Sequence, residues 1–595
     1  MNSKEKLSAL RKLMNKHNID AYIIPMTDAH LSEYVANHWR VINWISGFSG
    51  SAGTIVVTQN FAGLWTDSRY FIQAENQLKN SGFELVKLKI PHTPEYIEWL
   101  NKELKVGETV AFDAKVFPVG LIQIMESVFN RKSIKINGSL DFIETLWTDR
   151  PEIPKNKIFI HDIKYAGKSS NEKIKELNEK MNEQSIDYHI LSSLDDIAWL
   201  FNIRGNDIDY NPLAISYALV SSDKATLYID KEKLTESVNK ELITNNISIK
   251  PYTQIYSDLS NLENGKTVFT QLSKTNYALY NSIPKECFII DDINITSIMK
   301  AEKNQTEISH IRETMIKDGA AMVKFLYWIE KNVGKEKITE ISASEKLRNF
   351  RAEQEGFFGE SFGTISAYKS HGAMPHYSAT KESDVELKPE GLYLVDSGGQ
   401  YFGGTTDITR TVTLGKLTDE EKRDFTLALK GTINLAMAVF PYGTKGVQLD
   451  AFARKPLWDN HMNYGHGTGH GVGFFLNVHE GPQSISTNST INKATVLQVG
   501  MLTSDEPAFY RKDKHGIRIE NLILVVEDKE NEFGKFLKFE TVTLCPIDTK
   551  PVDVNLLTFE EKKWLNDYHK DVYDKISPFL DEEYKKLLKE KTKFV

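Results

Sequence analysis

The stretch YLVDSGGQYFGGTTDITRTV sets Asp396 at the end of an apolar strand and Asp407 at the start of the next, with a glycine-rich turn between them. A hairpin of this kind brings two carboxylates side by side. That arrangement is unfavourable unless a cation neutralises the pair, because adjacent carboxylates cannot both stay ionised cheaply. Either residue alone reads equally well as an Asx-turn former.

Three further segments add candidates. In GIRIENLILVV the period of two puts Ile517 and Ile519 on one face and Arg518 and Glu520 on the other; a buried ion pair would give the same pattern. In MLTSDEPAFY, Glu506 precedes Pro507, which restricts it to extended backbone. The run HGTGHGVGFFLNVHEGP carries His466, His470 and His479. His466 and His470 have the spacing of a helical zinc motif, but Gly467, Gly469, Gly471 and Gly473 argue against a helix, and no glutamate follows His466. Glycine at that density points to a backbone that must approach something closely. Carboxylate-dominated ligands with imidazole suit a pair of hard or borderline divalent ions such as manganese. The ordinary use of such a pair is hydrolysis, with a shared water of lowered pKa.

A chain of 595 residues is too long for one core, and its length points to roughly three to four domains. The net charge of −8 argues against a nucleic-acid or anionic-membrane surface. With only Cys287 and Cys545, neither a disulfide framework nor a cysteine zinc site is expected. The N-terminus has no signal-peptide pattern and no stretch is long enough to span a membrane, so a cytoplasmic protein is expected.

The first 30 residues read as an amphipathic helix presenting Leu7, Leu10, Leu13 and Met14, then the strand AYIIP. Residues 173 to 190 repeat the order helix, Ile-Asp, strand, with Ile186-Asp187 matching Ile19-Asp20. Two tandem α/β domains are therefore expected, over 1–150 and 151–298, with a linker at WTDRPEIPKNK. From 299 to 595, helical patterns alternate with the strands already quoted, which predicts an α+β domain. Thr418 with Glu421 and Thr558 with Glu561 are capping-box patterns. Phe425, Leu429, Ile433 and Met437 follow the first, and the stripe Trp564, Tyr568, Val572 and Ile576 after the second reads as packing.

The order Asp396, Asp407, His470, Glu506, Glu520, within VDSGGQYFGGTTDITRT, HGTGHGVG, DEPAFY and GIRIENL, resembles the pita-bread metallopeptidases of family M24. Earlier segments, PMTDAHLSEYV, ISGFSGSAGTIVV, WTDSRYF, LWTDRP and LDDIAWLFNIRGNDIDYNP, resemble the large three-domain cytosolic Xaa-Pro aminopeptidases. The resemblance implies an α+β pita-bread catalytic domain behind two creatinase-like α/β domains. It implies release of an N-terminal residue that precedes proline, by a water activated between two divalent metals, with manganese expected. Asp396 would chelate one ion, Asp407 and Glu520 would bridge both, and His470 and Glu506 would hold the other. Glu506 would also act as base, and His479 would hydrogen-bond the substrate at the reacting bond. His376, in PHYSAT, and His466 complete the family's histidine set. Arg69 matches an arginine reaching substrate in a homodimer, and Arg518 would orient the carboxylates. Ser68 and Ala508 stand where the family commonly has glycine. The competing readings are a prolidase-type dipeptidase and a non-catalytic pita-bread binding module.

Overall fold

A computed structural model describes residues 1–90, 93–487 and 495–595. It separates into two compact units, Met1–Ile160 with Lys168–Thr296 and His161–Gly167 with Ser297–Val595.

In the first unit, helix Ser3–Lys16 opens on a capping box between Asn2 and Glu5 and buries Leu7, Leu10 and Met14, the face its spacing predicts. Strand Ala21–Pro25 follows and lies inside a six-stranded sheet. It pairs antiparallel with Thr54–Thr58, which pairs antiparallel with Ala62–Thr66, and that strand runs parallel to Glu84–Lys87. On its other side lie Thr109–Ala111 and then Lys135–Asn137, both parallel. A second six-stranded sheet repeats this plan around Tyr188–Leu191, with Ser216–Ser221, Ala225–Ile229 and Ile247–Lys250 on one side. Thr267–Phe269 and Phe288–Ile290 complete the other.

The Ile-Asp pair explains part of the repeat. Ile19 and Ile186 are buried in their lobes. Asp20 accepts the backbone N–H of Thr109 at 2.8 Å, and Asp187 accepts that of Thr267 at 2.8 Å. Each aspartate thus satisfies the first amide of the neighbouring parallel strand, a group that would otherwise go unpaired. The DAH motif ties the two lobes of this unit together. His30 Nδ1 faces the Ser192 carbonyl at 2.9 Å and its Nε2 the Tyr252 hydroxyl at 2.9 Å. The carbonyl can only accept, so Nδ1 carries the proton and Nε2 accepts from the tyrosine.

In the second unit helices cover small antiparallel sheets. The capping boxes at Thr418 and Thr558 are present, opening Asp419–Ala436 and Phe559–Ile576. Phe425, Leu429 and Ile433 meet Tyr568, Val572 and Ile576 in one core, with Met437 and Trp564 packed at its edge. Strand Leu392–Ser397 lies between Ile365–Tyr368 and Ile408–Thr413. The other two expected strands are each interrupted. Leu502–Asp505 pairs with the start of Asn521–Asn531, and Ala508–Arg511 pairs with His515–Arg518. Glu506-Pro507 and Ile519-Glu520 fall at the shared break, where Pro507 has no N–H to give the ladder. Among the described residues no helix is long and apolar enough to cross a membrane.

Candidate metal centre

The break in these strands and the end of the hairpin deliver the acidic residues to one place. Asp396 pairs with Thr409, and Ser397 with Ile408, so Asp407 lies immediately beyond the paired end of its strand. Ligand atoms of Asp407, His470 and Glu520 all lie within 4.8 Å of one another. Glu506 joins them through His470, whose Nε2 is 3.6 Å from Glu506 Oε1 and 3.4 Å from Asp407 Oδ2.

The histidine run forms no helix. Gly469–His470 is a two-residue strand paired with Ser484–Ile485. A Cβ on Gly469 would stand 1.9 Å from the Ser504 carbonyl, and one on Gly471 2.0 Å from that of Glu480. What these two glycines approach is therefore the protein's own backbone. Ser504 Oγ accepts the His470 N–H at 2.9 Å and donates to Glu506 Oε1 at 3.3 Å, which couples the two residues.

The fit to a cation follows from His470. Its Nδ1 lies 2.9 Å from the Gly471 carbonyl, so that nitrogen carries the proton. The Nε2 lone pair then faces carboxylate oxygens that are also lone-pair donors. Only a cation or an added proton relieves that contact. Asp396 Oδ1 is buried with no hydrogen-bond partner, although Oδ2 is held. Burial pushes the Asp396 carboxyl up against the pull of Arg518, with Asp407 adding to the rise. Burial also lifts Glu506 to about 7, and burial with its carboxylate neighbours drives Glu520 well above the usual range. Oxygen-rich ligands plus one imidazole suit hard or borderline divalent ions.

Arg518 organises this crowd without pairing with Glu520. Its Nη2 donates to Asp396 Oδ2 at 2.5 Å and its Nε to Thr409 Oγ1 at 3.1 Å. Thr409 Oγ1 in turn donates to Glu520 Oε2 at 2.7 Å. Arg518 Nη1 donates to the Tyr510 hydroxyl at 2.6 Å. His466 Nδ1 lies 2.7 Å from the Gly467 carbonyl, which leaves Nε2 to accept from Tyr510 at 2.8 Å. Burial, reinforced by Arg518, holds His466 neutral with its pKa down to about 3.

Thr409 and Tyr510 were not among the sequence candidates. The period of two places Thr409 opposite Asp396 and puts Tyr510 on the face of its hairpin that carries Arg518. His479 is exposed, its ring edge-on to that of His470 with centroids 4.4 Å apart. His376 is also exposed, in the turn beside Pro375, whose carbonyl accepts from Arg518 at 3.4 Å. Arg69 belongs to the first unit, where it forks onto Asp67 at 2.8 and 2.7 Å.

Residues 309–527 match metallopeptidase family M24, and 535–595 match the C-terminal region of that peptidase family. Residues 6–143 and 149–307 each match a creatinase/prolidase N-terminal domain. The chain is 40% identical over 593 residues to a probable Xaa-Pro aminopeptidase P of Laccaria bicolor, covering 98% of this chain and 91% of that one. It is similar over the whole of both chains to the X-prolyl aminopeptidase of Caenorhabditis elegans, described as a cytosolic enzyme with a di-nuclear active site, with TM-score 0.94 and 36% identity. An Xaa-Pro dipeptidase from Bacillus anthracis shares the fold, with TM-score 0.51 and 23% identity over 64% of this chain and 99% of that one.

Proposed function

The chain belongs to metallopeptidase family M24 as an Xaa-Pro aminopeptidase, and from that premise we propose how its residues divide the work. It hydrolyses the N-terminal peptide bond that precedes proline and uses two divalent ions. The observation that carries the division is the His470 Nε2 lone pair facing Asp407 and Glu506 oxygens at 3.4 and 3.6 Å. In our reading Asp396, Asp407, His470, Glu506 and Glu520 would hold the ions. The oxygen-rich set favours manganese. When bound, the ions supply Lewis acidity that polarises the attacked carbonyl and brings water towards neutral pKa.

The residues of the chain do the rest. A carboxylate oxygen of Glu506, whose Oε1 lies 3.6 Å from His470 Nε2, would take the proton of the attacking water. His479 donates to the oxyanion that develops on the scissile carbonyl. His376 lines the substrate's approach, and Arg69 contacts substrate within a homodimer. His466, with both nitrogens engaged, serves catalysis by holding Tyr510 against Arg518. We place domain boundaries at 1–150, 151–298 and 299–595. Two sheets of shared order ending at Asn137 and Ile290 support them. A cytoplasmic location is supported by the two free, buried cysteines.

Comparing Arg-Pro with Arg-Pro-Pro tests the reading against a dipeptidase. Cleavage of the tripeptide after arginine is expected, and activity confined to the dipeptide would overturn it.

A further inference from the structure

Outside the carboxylate pocket, the second unit buries another set of charges directly behind His479. Glu480 Oε1 lies 3.0 Å from Lys303 Nζ, and Oε2 lies 3.4 Å from Lys300 Nζ. None of the three side chains is more than 2% exposed. Lys303 Nζ also donates to the Lys300 carbonyl at 2.8 Å, and the Lys303 N–H donates to the Gly500 carbonyl at 3.1 Å. The next residue, Asn304, is the N-cap of helix Gln305–Asn332 and closes a capping box with Glu307. Lys303 is therefore held by its own N–H to Gly500 and by the helix N-cap that follows it.

A buried ion pair is a poor way to gain stability, because desolvation consumes much of the attraction and an apolar replacement often does as well. What it provides is a fixed geometry. Here the fixed backbone is that of His479-Glu480. The Glu480 N–H donates to the Gly471 carbonyl at 2.8 Å, and Gly471 follows His470 directly. The Glu480 main chain is thus tied to the His470 segment, and its side chain to Lys303. In this arrangement the His479 ring lies edge-on to His470 at 4.4 Å and 84°.

We propose that Lys303 is a positioning residue for His479: by pinning Glu480 it sets the ring where it meets the reacting carbonyl. Lys300 shares the load on the second carboxylate oxygen. This rests on the reading of His479 as the oxyanion donor. A donor displaced by a fraction of an ångström still lets substrate bind, so the loss falls on turnover.

The test is a double-mutant cycle on the metal-loaded enzyme, with Lys303→Met and His479→Ala singly and together. The readouts are kcat, KM, metal content and unfolding midpoint. Lys303→Met is expected to lower kcat by about tenfold to a hundredfold with KM within about twofold and metal content unchanged. In the His479→Ala background it should lower kcat no further, because the two changes remove one interaction. If His479→Ala lowers kcat and Lys303→Met lowers it again by the same factor, the positioning role is overturned while the donor reading stands. If His479→Ala leaves kcat at the wild-type value, the donor reading itself fails. Should Lys303→Met not fold, Glu480→Gln carries the same cycle, since it removes the charge and keeps the side chain's shape.

Discussion

Arg518 donates to Asp396 at 2.5 Å, so its guanidinium is committed to the carboxylate that has an orphaned second oxygen. Glu520, two positions further on, is held instead by Thr409, to which Arg518 also donates. One cation thus steadies two acidic residues, one directly and one through Thr409.

Arg518→Met removes that cation from a buried site. Breaking a buried pair by removing one partner costs about 3–5 kcal/mol. Denaturant unfolding of the metal-free chain should show a loss of that order, and metal loading should recover part of it. An unfolding midpoint unchanged from wild type would mean that Asp396 is satisfied in some other way.

Tyr510→Phe leaves His466 Nε2 without its donor and Arg518 Nη1 without its acceptor. Such orphaned buried groups cost about 1–3 kcal/mol each. Turnover should fall while both ions stay bound, and steady-state kinetics with metal analysis checks both. Full activity would show that the His466–Tyr510 link has no part in catalysis.

His479→Ala should lower kcat by about 10²–10³, the usual effect of removing an oxyanion donor. Metal content should stay close to that of wild type. Loss of metal instead would move His479 into the ligand set and require a different division of the histidines.

His30 gives a prediction far from the chemistry. Burial lowers its pKa from 6.5 to about 4. The folded value lies below the unfolded one, so the unfolded chain takes up a proton that the folded chain refuses. This contribution is complete above about 6.5 and is lost as pH falls from there towards about 4. Unfolding midpoints measured from neutral to mildly acid pH should fall more steeply for wild type than for His30→Asn. Parallel profiles would contradict the assignment.

Much of the molecule was legible from local pattern. The first helix, the Ile-Asp repeat and both capping boxes depend on residues a few positions apart, and each occurs where spacing places it. Asp396, Asp407, Glu506 and Glu520 could be picked out because strand ends and a proline mark them. The partners that hold the site were not legible, since they are joined only by the fold. Thr409 reaches Glu520 across 111 positions and Lys303 reaches Glu480 across 177. Neither pairing has a local signature. The glycines of the histidine run were readable as close-approach positions, but that Gly469 and Gly471 approach Ser504 and Glu480 follows only from strand pairing.

Metal stoichiometry measured together with Arg-Pro-Pro cleavage is the most direct test of the dinuclear site. Purified chain should carry two divalent ions, lose tripeptide cleavage on exhaustive chelation, and regain it when Mn²⁺ is added back. Cleavage that persists in the metal-free chain would contradict the assignment of Asp396, Asp407, His470, Glu506 and Glu520 as metal ligands for this chemistry.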